Sequence, residues 1–377
     1  MGTSFCLDEP DRIKKLRTWP WHTNQIMDDS GKIHFEQLNT FLTAATGLPV
    51  TALEVSLRQP VGFQSNRLYD IRTGRRHLIL KEYLIPEELA QAPEREYHAL
   101  QLLSPYDIAP QPVFYDSTLG PFVVYEYMEG EMWDRRIPSE ADLARLADVW
   151  LRVTSLATEG LWKANGTELR FEEIEDRLSS QFQTYAAWVE EDFWPGRKAA
   201  DLCTQALERL RPVFRELAEH DPCLCFCRAD PRFANVIQRP DGRLGLVDWE
   251  DSGLRDPARE LVDILTHPNQ EDLLSLEEWQ PFLQRFLAGR ASCDRNFMDR
   301  ILLYHAVFPL FWMAAILRRS LQAIQAGNPS PGKFNGLPAN LRLRRYLARI
   351  QAWPELDFDD ELLELDGLKF LPCSNVN

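Results

Sequence analysis

The spacing of hydrophobic and polar positions changes character along this 377-residue chain. "HFEQLNTFLTAATG", residues 34–47, repeats its apolar positions at helical spacing and is closed by Gly47. Over residues 52–84, "ALEVSLRQPVGFQSNRLYDIRTGRRHLILKEYL", short apolar runs are broken at Gly62 and at "RTGR". That pattern predicts antiparallel strands joined by turns. A helix follows Pro93 in "EREYHALQLL", and "GPFVVYEYMEGE" predicts another strand, ended by Gly130.

From Ser139 onward the period is helical. "SEADLARLADVWLRVTSL" opens with a Ser-x-x-Asp capping signal and sets Leu143, Leu146, Ala147 and Trp150 on one face. Further helices are predicted near 171–190, 198–219, 257–266, 271–289, 294–325 and 338–352. Residues 223–248 are the exception and return to strand and turn chemistry. The layout is α+β: an N-terminal extension (1–49) with a Trp-Pro-Trp segment at Trp19–Trp21, a small antiparallel β region (50–129), a larger helical region (130–352) and an acidic tail (353–377).

Composition narrows the partners. A net charge of −15 argues against nucleic acid, whose phosphates require clustered Lys and Arg, and suits a cationic or neutral small molecule. No basic segment followed by an apolar run opens the chain, so a cytoplasmic protein is expected. Cys6 and Cys373 each sit one step away from a lipidation signal and are read as coincidence. The longest apolar run, Ile301–Leu317, contains His305 and Pro309 and barely reaches membrane-spanning length; it reads as a buried core helix, so no membrane partner is expected. Seven cysteines without a secretory signal read as reduced thiols. Cys223, Cys225 and Cys227 alternate as on one strand face; without a second cysteine pair they read as small hydrophobes rather than a metal clip. None of the seven histidines falls at metal-ligand spacing.

The candidate chemistry lies in "RADPRFAN" and "VIQRPDGRLGLVDWED". The second string reads as a hairpin around Pro-Asp-Gly, with Asn235 before its first strand and Asp248 after its second. The hairpin brings both oxygen-bearing side chains to one mouth, a donor set that suits Mg²⁺. Asp230, five residues before Asn235, is the carboxylate free to accept a hydroxyl proton. Glu250 and Asp251 are secondary candidates beside Asp248, and Asp256-Pro257 reads as a helix cap with a structural role.

The Asp-(four residues)-Asn spacing, the hairpin and the "DWEDSGLRDPARELVDIL" exit resemble the aminoglycoside phosphotransferase and choline kinase family, small-molecule relatives of the protein kinases. The resemblance runs over residues about 53–265 and departs at Arg228, where the family has His. It implies a protein-kinase-like two-lobe fold that moves the γ-phosphoryl group of ATP to a hydroxyl, with Mg²⁺. By the same resemblance "GFQSNRLYDI" is similar to the glycine loop (Gly62, Ser65, Asn66). Lys81 becomes the phosphate-binding lysine and Glu96 its acidic partner, chosen over Glu94 because it shares a face with Leu100 and Leu103. "VVYEYMEGE" becomes the hinge, where the Glu126 carbonyl and the Met128 amide meet adenine. Asn235 and Asp248 become metal ligands and Asp230 the catalytic base. Arg228 either orders the loop through its several donors or pairs with Asp230 or Asp248. The second possibility leaves open a kinase-like protein that binds nucleotide or a partner without turnover. The acceptor is left open among aminoglycosides, choline-like amines, amino alcohols and sugars; the helical residues 160–220 and 270–345 would select it. The aromatics from Phe182 to Trp194 read first as core and second as a cage for a cationic amine.

Overall fold

A computed structural model describes residues 29–58, 66–74, 76–84, 91–134, 136–165, 171–188, 200–201, 203–211, 222–290, 294, 296–325, 333–334 and 337–352. The Trp-Pro-Trp segment, Cys6, Gly62, Ser65, the stretch 189–194 and the acidic tail with Cys373 lie outside these residues. Contacts divide the chain into two units: Met1–Pro93 with Val113–Tyr127, and Glu94–Pro112 with Met128–Asn377. Residues 94–112, counted with the strands in the sequence, therefore group with the helices.

The first unit is built on a five-stranded sheet. Its strands β1 (Glu54–Leu57), β2 (Asn66–Thr73), β3 (Arg76–Tyr83), β4 (Pro112–Tyr115) and β5 (Phe122–Glu126) lie in the order β1-β2-β3-β5-β4. The pairs β1–β2, β2–β3 and β3–β5 are antiparallel. Helix α1 (Asp29–Thr46) supplies Leu38, Phe41 and Leu42 to one core with Ile71, Leu78, Leu80, Phe122 and Val124. These positions recur at i, i+3 and i+4, so one stripe of the helix is buried; each large side chain contributes roughly 1.5–3 kcal/mol. Part of the presumed N-terminal extension is thus integral to the sheet's core. Gly47 ends α1 at φ +68, its N–H returning 2.9 Å to the Thr43 carbonyl, a conformation that favours glycine.

The second unit is mainly helical. Helix α2 (Ala92–Leu103) is followed by α3 (Glu140–Thr154), and α3 begins with the capping box read from the sequence. There Asp142 N–H donates to Ser139 Oγ, and Ser139 N–H donates to the Asp142 carboxylate. Helices α4 (Phe171–Trp188) and α5 (203–211) lead to the strand-and-turn block. That block holds β6 (Glu131–Met132), β8 (Val236–Gln238) and β9 (Leu244–Leu246) in the order β6-β8-β9, while β7 (Cys225–Cys227) pairs with β10 (Gly253–Arg255). Then come α6 (Pro257–Thr266), α7 (Leu276–Arg290), α8 (Phe297–Gln325) and α9 (Ala339–Ala352). Helix α7 starts five residues later than its apolar pattern suggests, because Gln270 and Glu271 N–H groups are taken by the His267 carbonyl in a separate turn.

Cys225 and Cys227 are buried and Cys223, just before the strand, is exposed. Burial raises both β7 thiols above their ordinary pKa, so they pack as small neutral groups. Residues Phe297–Arg319 of α8 are long and apolar enough to cross a membrane, yet that stretch is mostly buried inside the protein, as a core helix would be. Phe182 of the aromatic stretch is fully buried and also belongs to the core.

Candidate active site

The loop leaving β7 takes its shape from α6. Glu260, in the first turn of that helix, accepts the backbone N–H groups of Arg228 (3.0 Å) and Ala229 (3.1 Å). Ala229 consequently holds φ +67, a left-handed conformation that alanine reaches only when its neighbours impose it. The loop ends in a short 3₁₀ turn, Phe233–Asn235, and enters the β8/β9 hairpin, where Val236 faces Leu246. One step outward the Val247 N–H donates to the Asn235 carbonyl at 3.0 Å. Asp248 follows at φ +70, and its Oδ2 accepts from Asn235 Nδ2 at 3.1 Å. The hairpin therefore brings together the two side chains that its turn chemistry predicted.

Arg228 is buried and acts on backbone. Its Nε donates to the Asp230 carbonyl at 2.7 Å, and its Nη2 donates to the carbonyls of Val247 and, at 3.0 Å, Asp248. The guanidinium lies 5.1 Å from the Trp249 ring centre, a cation–π contact. One side chain thus ties the Asp230 turn to the far end of the hairpin.

The two carboxylates are held by different groups. Asp230 Oδ2 lies 2.6 Å from Arg232 Nη2, and Asp230 Oδ1 lies 3.3 Å from His267 Nε2. The Asn269 N–H donates to His267 Nδ1 at 3.2 Å, so the ring proton belongs on Nε2, facing Asp230. Trp312 of α8 stands edge-on to the same imidazole at 4.9 Å. Burial by itself would raise the Asp230 pKa, but Arg232, His267 and Arg228 together hold it well below the usual carboxylate range. Arg232 also reaches Asp248 Oδ2 at 2.9 Å.

Asp248 has acidic neighbours as well. Carboxylate oxygens of Glu96, Asp248 and Glu250 all lie within 4.8 Å of one another. Glu96 accepts the Trp249 N–H at 3.4 Å, and Arg95, one residue earlier on α2, donates to the Glu250 carbonyl at 2.9 Å. An all-oxygen set of this size fits a hard divalent cation such as Mg²⁺. Asp251 turns away and accepts from Asn165 Nδ2 at 2.7 Å.

The remaining sequence candidates are distributed over both units. In the first, Lys81 is 1% exposed on β3, opposite Leu68 and Val123, with its ammonium 4.9 Å from the Tyr83 ring centre. Asn66 opens β2 opposite Tyr83. Glu126 ends β5 with an exposed side chain 3.4 Å from Arg76. In the second, Glu96 is buried on α2 whereas Glu94 is exposed. Met128 packs so closely over Gly245 that any Cβ there would meet its sulfur. Gly62 and Ser65 lie outside the described residues.

Three contributors escaped the sequence. Arg232 stands at a variable position of the motif, Glu260 reads as an ordinary first-turn acid, and His267 lies 37 residues beyond Asp230. Only the position of Arg232 inside the motif offered a signal.

The profile of the phosphotransferase enzyme family matches residues 56–300. No curated protein sequence matches the chain. Among solved structures, the choline kinase LicA from Streptococcus pneumoniae is similar at 20% identity, covering 86% of this chain and 100% of its own, with a TM-score of 0.57. LicA in complex with AMP is similar at 18% identity, covering 87% and 100%, with a TM-score of 0.56. An ethanolamine kinase from Plasmodium vivax is similar at 14% identity, covering 89% and 92%, with a TM-score of 0.54. At these identities the likeness establishes the fold, an α+β arrangement of the protein-kinase-like type.

Proposed function

Because the chain belongs to the phosphotransferase enzyme family, we propose that it moves the γ-phosphoryl group of ATP to a hydroxyl of a small molecule. The observation carrying this reading is the convergence of Asp230, Asn235 and Asp248 in one loop-and-hairpin cluster. In the reaction the acceptor oxygen forms a bond to the γ-phosphorus while the bond to the β-phosphate oxygen breaks, and ADP leaves. Asp230 takes the acceptor's proton; a strongly acidic carboxylate can do so late, once bonding to phosphorus has drawn electron density from the hydroxyl oxygen and made its proton acidic. Asn235 and Asp248, with Glu250 beside them, would hold Mg²⁺, which supplies charge neutralisation for the phosphates. Lys81 would serve as the cation for the α- and β-phosphates, and Glu96 is the acidic group beside Asp248 and Glu250. Gly62, Ser65 and Asn66 would contact the phosphates, and backbone groups of Glu126 and Met128 would take adenine. The AMP complex of a structural relative supports nucleotide as the ligand.

The reading without turnover rested on Arg228 drawing basicity from the carboxylates. Its hydrogen bonds go to three backbone carbonyls, which supports the ordering role, while its charge lowers the Asp230 pKa only after Arg232 and His267. The acceptor is a hydroxyl compound of the aminoglycoside, amino alcohol or sugar class. The test is ATP consumption over a panel of these three classes, comparing the wild type with Asp230→Asn. Turnover lost in the variant supports the reading; nucleotide binding with no turnover across the panel refutes it.

A further inference from the structure

Arg232 occupies an unusual place, since a single nitrogen, Nη2, touches both carboxylates of the candidate site. It lies 2.6 Å from Asp230 Oδ2 and 2.9 Å from Asp248 Oδ2. Asp230, Asp248, Glu250 and Asp251 together favour its charge over the cost of burial. Its Nε is buried without a hydrogen-bond acceptor, so the guanidinium is fixed by those contacts and not by a full set of neutral partners. Asp248 Oδ2 also accepts from Asn235 Nδ2, which means that two N–H donors converge on one oxygen of a presumed metal ligand. A divalent cation needs that oxygen's lone pairs and would stand within a few ångströms of a fixed positive charge. At such separations like charges repel, and a divalent ion repels the guanidinium twice as strongly as a monovalent one, so ion and guanidinium cannot share Asp248 without one giving way.

We infer that Arg232 is a resident counter-ion of the site: it holds Asp248 until a metal–nucleotide complex displaces it, and it then remains on Asp230 as the cation beside the transferring phosphoryl group. The inference rests on the phosphotransferase reading and adds a residue with two successive tasks. In the first it keeps two neighbouring carboxylates from repelling each other. In the second it neutralises charge where the new bond forms. Its side chain, 34% exposed, has room to make the change, whereas Arg228, 1% exposed and bound to three carbonyls, does not.

The test measures Mn²⁺ binding to the full chain without nucleotide, by paramagnetic resonance of the free ion, in the wild type and in Arg232→Gln, Arg232→Lys and Asp248→Asn. Removing the competitor should tighten Mn²⁺ about tenfold in Arg232→Gln, leave Arg232→Lys near the wild type, and abolish binding in Asp248→Asn. The same Arg232→Gln protein should lose about a hundredfold in kcat while its KM for ATP changes little, a split that a purely structural residue would not give. Mn²⁺ affinity that is unchanged or weaker in Arg232→Gln, with Asp248→Asn still abolishing it, overturns the counter-ion role alone. Binding that ignores both substitutions overturns the metal site at Asp248 as well, while the ATP-consumption panel decides the phosphotransferase reading separately.

Discussion

Two turns of the second unit each present an aspartate to an arginine, and they do so in opposite ways. At the start of α6, Asp256 caps the helix by accepting the Ala258 N–H at 2.9 Å. Its two oxygens also receive Arg300 through Nε (2.8 Å) and Nη2 (3.2 Å). Both partners are almost fully buried, and Asp294 completes the set around Arg300. In the loop and hairpin, Asp230 and Asp248 are each about one-fifth exposed and share one nitrogen of a half-buried arginine. Of the three non-glycine residues at positive φ among those described, two, Ala229 and Asp248, lie here. The closed, two-pronged pair is what a fold uses to fix a helix, because each carboxylate oxygen and each guanidinium nitrogen has a permanent partner. The open, singly bridged pair on strained backbone leaves lone pairs for something that comes and goes.

This contrast is open to direct test. The largest effect should come from Asp230→Asn, with turnover falling at least about a thousandfold and the urea midpoint moving less than in any Asp256 variant. Asp256→Ala should reverse that pattern, destabilising the protein by roughly 3–5 kcal/mol in urea unfolding, since it strands a buried arginine and removes a cap. Protein that still folds should keep its KM for ATP. Arg228→Ala should fall between them, with about a hundredfold loss in kcat and roughly 2–3 kcal/mol in stability as three carbonyls lose their donor. Unchanged kcat in that variant would deny the loop-ordering role.

The smallest effect concerns pH and a group outside both turns. Burial, with Arg349 adding to it, pushes His305 of α8 down to about 3, so the folded protein keeps it neutral. The unfolded chain takes up that proton near its ordinary value of about 6.5. His305 therefore costs no stability above that pH and an increasing amount as pH falls toward the folded value. Between pH 7.5 and 5 the wild type should lose about 1–2 kcal/mol more than His305→Leu, read as the difference between their urea-midpoint slopes. Parallel slopes would show that the imidazole is protonated in the folded state.

Much of this was legible in the chain because it is local. The Ser139 capping box, the Asp256-Pro257 helix start, the Gly47 stop and the Pro-Asp-Gly hairpin each depend on residues within a turn of one another. A hairpin of known ends also predicts that its flanks meet, which is how Asn235 and Asp248 could be paired before any coordinates. The residues that close the site were not legible. His267 touches Asp230 only because α6 carries the chain back past the loop, and no spacing rule encodes that return. Arg228 offered two fates in the sequence, carboxylate or carbonyl, and the choice lay in where its buried guanidinium came to rest.

By itself, then, the sequence determined the local elements, the class of fold and the oxygen-bearing residues at the hairpin's mouth, since backbone conformation and short-range hydrogen bonding set these. The tertiary structure decided that α1 belongs to the sheet's core, that Glu260 imposes the left-handed turn at Ala229, and that Arg232 rather than Arg228 binds the two carboxylates. These depend on contacts between segments distant along the chain or on which of several nearby donors burial leaves free. Packing settles both.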